Sequence, residues 1–151
     1  MDPTWRETRP GDYCVLLVPK EGEAIPAEGT QLELQTFFGG SLVKPVHLTC
    51  DRFELHDHQL FEEVASRLKK KALLQSPIQL TAFSVKILKS EFRNGHILKW
   101  LVYLNDPLRR WINFVDDTLD EVGARRFYSS LGDMRIVTAL GGIEEKYWAV
   151  S

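Results

Sequence analysis

Apolar and polar positions alternate along this chain in short segments that can be read as strands and helices. Tyr13-Cys14-Val15-Leu16-Leu17-Val18 is a nearly continuous apolar run closed by Pro19, the pattern of a central strand buried on both faces. A turn-like stretch, 20–24, leads to Ile25-Pro26-Ala27, where Pro26 suits the first turn of a helix. Leu34, Phe37 and Phe38 recur at helical spacing up to the stop signal Gly39-Gly40, although Gly29 weakens the interior. Val46, Leu48 and Cys50 then alternate with His47 and Thr49, predicting a strand that runs on through Phe53 and Leu55. Leu60, Phe61, Val64, Leu68 and Leu73 mark one face of a second helix, with Glu62, Glu63, Arg67, Lys69 and Lys70 on the other. Asp57 is placed to cap its start and Ser76-Pro77 to end it.

Two strands follow, 78–88 and 96–104, flanking Arg93-Asn94-Gly95, and Asn-Gly is the strongest short hairpin signal. Asp106-Pro107 opens a third helix with Leu108, Trp111, Ile112, Val115 and Leu119 on one side. It continues or restarts past Gly123 toward Tyr128. A last strand, 134–140, lies between Gly132-Asp133 and Gly141-Gly142, and Tyr147 and Trp148 in the tail are apolar enough to pack back on the body. The order β-α-β-α-β-β-α-β, with a hairpin in the middle, predicts an α+β fold rather than a doubly wound one.

Composition narrows the class. At 151 residues the chain is the size of one domain, 1–151, with a self-sufficient core. The net charge of -2 announces no DNA-binding surface and no attraction to an anionic membrane, so a phosphate site has to be a local patch. No apolar run reaches the ~20 residues that span a bilayer, and Met1-Asp2-Pro3-Thr4-Trp5-Arg6 does not open a signal peptide. Cys14 and Cys50 sit in apolar strand-like runs with no metal-ligand spacing, and read as reduced core residues of a cytoplasmic protein.

The sharpest chemical feature is His47-Leu48-Thr49 within Lys44-Pro45-Val46-His47-Leu48-Thr49-Cys50. Residues i and i+2 of a strand point the same way, so an imidazole and a hydroxyl stand side by side there. A lone strand histidine is more often a hydrogen-bonded structural residue than a catalyst, which makes the context decisive. His56-Asp57-His58 repeats the i, i+2 histidine spacing but has no third nitrogen or sulfur ligand nearby in sequence. Capping and solvent exposure outweigh a metal reading there, and no metal or other cofactor is expected. His96 reads as a surface residue beside the turn. The run Arg67-Leu68-Lys69-Lys70-Lys71 and the pairs Arg109-Arg110 and Arg125-Arg126 read as solvated faces. Trp100, Trp111, Phe114 and Tyr128 fall on apolar faces, as core aromatics do rather than base-stacking platforms.

Val46-His47-Leu48-Thr49, after a strand and a helix, resembles the first motif of the two-histidine phosphoesterase superfamily, the 2′-5′ RNA ligase-like proteins and cyclic nucleotide phosphodiesterases. Over roughly residues 12–143 the element order is similar as well. The resemblance implies a bilobal α+β fold: two pseudo-symmetric lobes of antiparallel sheet, helices packed outside, and a central cleft to which each lobe contributes a strand carrying His-x-Thr or His-x-Ser. The second motif should fall in Asp133-Met134-Arg135-Ile136-Val137-Thr138-Ala139-Leu140, where Thr138 is in place and Ile136 occupies the histidine slot. If a slip or bulge moves Arg135 into that slot, Val137 replaces the threonine instead.

In that family one imidazole takes a proton from the attacking oxygen and the other protonates the leaving oxygen. Each such contribution is typically worth about 10²–10⁴ in rate. Isoleucine does neither, so the resemblance implies a site that holds phosphate better than it turns it over. His47 is the remaining acid/base group, and Thr49 and Thr138 are hydroxyl donors to the phosphate. The Arg135 guanidinium is a candidate phosphate cation whose regular-strand position faces away from Thr138. The implied ligand is a nucleotide or RNA terminus with a 2′,3′-cyclic or 2′-5′ phosphodiester. Three readings remain open at this stage: a phosphodiesterase, a catalytically inactive nucleotide- or RNA-binding module, and a partner-binding protein with a vestigial cleft.

Overall fold

A computed structural model describes residues 11–20, 22, 25–39, 41–42, 46–89, 96–127 and 135–143. The chain is a mixed α/β protein with the elements β1 (Tyr13–Leu17), α1 (Ile25–Phe38), β2 (Ser41–Leu42), β3 (Leu48–Glu54), α2 (Leu60–Leu73), β4 (Ala82–Lys89), β5 (His96–Val102), α3 (Asp106–Glu121), β6 (Arg125–Arg126) and β7 (Arg135–Ile143). Contacts divide it into two compact units. One comprises Met1–Val15, Thr49–Thr81 and Tyr103–Met134, and the other Leu16–Leu48, Ala82–Val102 and Arg135–Ser151.

The second unit is organised around β7. On one side β7 pairs antiparallel with β5, from Val102 opposite Arg135 to His96 opposite Ile143. β5 pairs in turn with β4, from Ala82 opposite Val102 to Lys89 opposite His96. That ladder follows the hairpin the sequence predicts, although β4 starts only at Ala82 and the turn residues Arg93, Asn94 and Gly95 lie outside the described residues. On the other side of β7 lie β2, with Ser41 opposite Gly141, and Leu48 opposite Val137. β7 runs through Gly141-Gly142, where the sequence predicts a stop, because β2 and β5 continue the ladder there. α1 packs on β7 and β2 and ends at Gly39, whose positive φ of 69° lets its N–H close the last turn on the Gln35 carbonyl at 2.8 Å.

In the other unit α3 supplies the core. Asn105 caps it by accepting from the Leu108 N–H at 3.0 Å while its amide donates to the Gln79 carbonyl at 2.8 Å. Pro107 occupies the first turn, where no N–H is missed. Leu108, Trp111, Ile112, Val115 and Leu119 are all buried, as their spacing predicts. Through Phe127 the helix neither continues nor restarts: Gly123 adopts φ 74°, Ala124 N–H returns to the Leu119 carbonyl at 2.9 Å, and β6 pairs with β3, Phe53 opposite Arg126. There Arg126 lies 3.3 Å from Asp116, 3.8 Å from the fully buried Asp51 and 3.1 Å from Asp120. Burial works against the Arg126 charge, but the Asp116, Asp51 and Asp120 carboxylates outweigh it and hold its pKa above the ordinary value.

Three further expectations are corrected. β1 is not buried on both faces: alternate residues reach solvent, Cys14 is exposed, and Val18 beyond the strand is 56% exposed. An apolar run marks strand propensity, and only packing decides which face is covered. On α1 Gln31 is buried, while Phe37 is 75% exposed. Asp57 is not the cap of α2. Its carboxylate accepts from the Gln59 N–H at 2.9 Å, a local turn two residues before the cap position that Gln59 itself occupies. Met134, Tyr128, Tyr147, Trp148 and the N-terminal residues 1–10 lie outside the described residues.

α3 offers a stability test with opposite signs on one face. Ile112→Ala removes a fully buried side chain and should cost about 2–5 kcal/mol in urea unfolding. The Thr118 hydroxyl is buried without a hydrogen-bond partner, so Thr118→Val should leave the unfolding midpoint unchanged or raise it.

Candidate functional site

Val46, Leu48 and Cys50 are buried while His47 and Thr49 between them are half-exposed, which is the alternation of a strand with one face on the core. Leu48 is thus fixed against the core, and the backbone pairing of Leu48 with Val137 sets where β7 lies beside it. One residue out from that pair stand His47 on one chain segment and Thr138 on the other. Neighbours of a pair in an antiparallel ladder fall on the opposite face from it, so positions 47 and 138 share the face that Leu48 and Val137 do not.

The register of β5 extends this row. Lys99 lies opposite Thr138, Leu101 opposite Ile136 and Trp100 opposite Val137. Lys86 on β4 lies opposite Lys99. Directly opposed residues share a face, so positions 47, 138, 99 and 86 form one transverse row over four adjacent segments. Ile136 lies on the same face, and Arg135, opposite Val102, has the parity of Val137 and stands on the other. Just past Thr138, β7 carries one extra residue, Ala139, before Leu140 meets Leu98, a bulge that ends the regular ladder beside the row. Thr49 follows Leu48 with the parity of His47.

Sequence reasoning had brought out His47, Thr49, Thr138, Ile136 and Arg135 but not Lys99 or Lys86. The hairpin signal alone was enough to pair β4 with β5. What places the lysines beside Thr138 is the pairing of β5 with β7, for which the chain carries no local signal.

The remaining candidates fall elsewhere. His56, Asp57 and His58 are exposed, and no group of three or more potential metal ligands occurs among the described residues. His58 Nδ1 lies 2.6 Å from the Tyr13 hydroxyl, and the Tyr13 ring stacks on Phe53 and Phe61 at 5.6 and 5.1 Å. His96 pairs with Lys89 and Ile143 at the ends of their strands. Arg67 is ion-paired to Glu63 and Glu121, and Lys69, Lys70 and Lys71 are exposed on a solvated face, Lys71 over the Phe114 ring at 5.4 Å. Trp111 is buried and Trp100 half-buried. No helix among the described residues is long and apolar enough to cross a membrane.

No protein-family model and no curated protein matches this chain.

Cys14 has the exposure of a reactive thiol but not the electrostatics. Crowding by its neighbours pushes its pKa up, against the pull of Arg52 and with the help of Asp12 and Asp51, so the thiolate is scarce at neutral pH. Alkylation of Cys14 should therefore still be accelerating as the pH passes 9.0. Cys50, fully buried, should react only on unfolding. Mass spectrometry after timed iodoacetamide labelling reads both.

Proposed function

We propose that the chain is a divergent two-histidine phosphoesterase-like protein, of that superfamily's two-lobed architecture, that binds a 2′,3′-cyclic or 2′-5′ phosphodiester and turns it over poorly. The observation that carries the reading is the pairing of Leu48 with Val137. These are the middle residues of His47-Leu48-Thr49 and Ile136-Val137-Thr138, so the two triplets are centred on each other and run in opposite directions. That is the symmetric arrangement in which two His-x-Thr motifs present their working residues to one ligand.

Each residue's task follows from its chemistry. The His47 imidazole donates to a phosphate oxygen or accepts the proton of an attacking hydroxyl. The Thr49 and Thr138 hydroxyls donate to the remaining phosphoryl oxygens, which needs geometry but no titration. Ile136 holds the place from which a second imidazole would protonate the leaving oxygen, and an alkyl group has no proton to give. Arg135, on the opposite face by register, takes no part. Binding therefore survives while general acid catalysis does not.

The test is calorimetric binding of a 2′,3′-cyclic nucleotide together with a hydrolysis assay. Saturable binding with slow turnover is expected, weakened by His47→Ala and by Thr138→Val. Ile136→His should then raise hydrolysis on the order of 10²–10⁴ by restoring the missing acid. Absence of binding overturns the proposal, and so does wild-type turnover that Ile136→His fails to improve.

A further inference from the structure

The last turn of α2 reaches solvent on every side. Each residue from Lys69 to Leu74 is exposed, Leu73 by 77% and Leu74 by 88%. Single exposed leucines are ordinary on a protein surface, but these two are adjacent, and each has a lysine one turn before it, Lys69 before Leu73 and Lys70 before Leu74. Val64 anchors α2 in the core, so the helix keeps its place without either leucine. α3, in the same compact unit, runs beside α2 in the opposite direction: Arg67 meets Glu121, and Lys71, one turn on, lies over the Phe114 ring, two turns back. The exposed Arg109 and Arg110 at the start of α3 thus lie toward the end of α2, with Arg110 one turn before Phe114. Arg67 is neutralised by Glu63 and Glu121, whereas no carboxylate pairs with these lysines or with Arg109 and Arg110 among the described residues. Lysines in a last turn offset the negative end of their helix, which accounts for Lys70 and Lys71. It does not account for the leucines, nor for two arginines close to the positive end of α3, where Asp106 is the acidic residue of the first turn.

We propose that the end of α2 and the start of α3 form a docking surface for an acidic amphipathic segment of a partner protein. Its apolar side chains cover Leu73 and Leu74, and its carboxylates meet the surrounding lysines and arginines. Charge complementarity selects this occupant. The chain's net charge of -2 gives no general attraction to polyanions, so the unpaired cations here are a local feature. A phosphate backbone has nothing apolar to lay on two leucines, and a helix held in a lipid interface needs a longer apolar face than one pair supplies. The surface uses no residue of the proposed phosphate site, so either reading can fail without the other.

The probe is a fluorescent synthetic helical peptide with leucines on one face bordered by glutamates, titrated with the full chain and read by anisotropy. Saturable binding that weakens as salt is raised is expected. Leu73→Ser/Leu74→Ser should weaken it by roughly tenfold or more, and Lys69→Gln/Lys70→Gln/Lys71→Gln should weaken it and flatten its salt dependence. All these positions are exposed, so circular dichroism should show the fold unchanged in each variant. The charge-reversed Lys69→Glu/Lys70→Glu/Lys71→Glu should exchange its preference and take the same peptide bordered by lysines instead. Absence of binding, binding indifferent to the leucine substitutions, or a charge-reversed variant that keeps the wild-type preference overturns the proposal. So does tighter binding to anionic phospholipid vesicles or to single-stranded RNA than to the peptide, or self-association of the chain that the same substitutions abolish.

Discussion

The pairing of Leu48 with Val137 is the constraint on which the rest of the candidate site depends. Leu48 is buried, as are Val46 and Cys50 at the same parity, so the core fixes which side chains of this segment face away from it. Once β7 is registered against Leu48, the positions of His47, Thr138 and Ile136 on one face follow from the two-residue period of a strand. A slip of one residue would move Thr138 to the other face and bring Arg135 to the face of His47. The same β7 register carries over to β5, which is how Lys99 comes to lie beside Thr138.

The face assembled this way is chemically lopsided. On the proposed reading it offers a proton carrier in His47 and hydroxyl donors in Thr49 and Thr138, with Ile136 where a second acid/base group belongs. Holding a phosphate takes donors and positive charge at the right places. Cleaving a phosphodiester takes, in addition, proton transfer to a poor leaving group. Under the proposed phosphoesterase-like reading, a chain that keeps the first set and lacks the second recognises a phosphodiester and leaves it intact.

How much of this could be read from the sequence depended on whether the signal was local. The α3 stripe from Leu108 to Leu119 and the burial of Val46, Leu48 and Cys50 follow from periodicity, which each segment carries within itself. The β4–β5 ladder follows from a hairpin whose partners are close in the chain. What was not legible depends on distant segments. β1 looks like a central strand by composition, yet Cys14 and Leu16 reach solvent because only one face is covered. β6 is two arginines long and has no pattern to read; Phe53 and Glu54 across the ladder and the carboxylates around Arg126 define it.

The most direct measurement is a ¹H–¹⁵N NMR titration of the protein with a 2′,3′-cyclic nucleotide. Saturable shifts concentrated at the amides of 47–49 and 136–138 are expected, with the Leu48–Val137 cross-strand contact observed in the same sample. Shifts confined to other segments, such as the exposed His56–His58 turn, no shifts at all, or a register that does not pair Leu48 with Val137 would contradict the proposed reading.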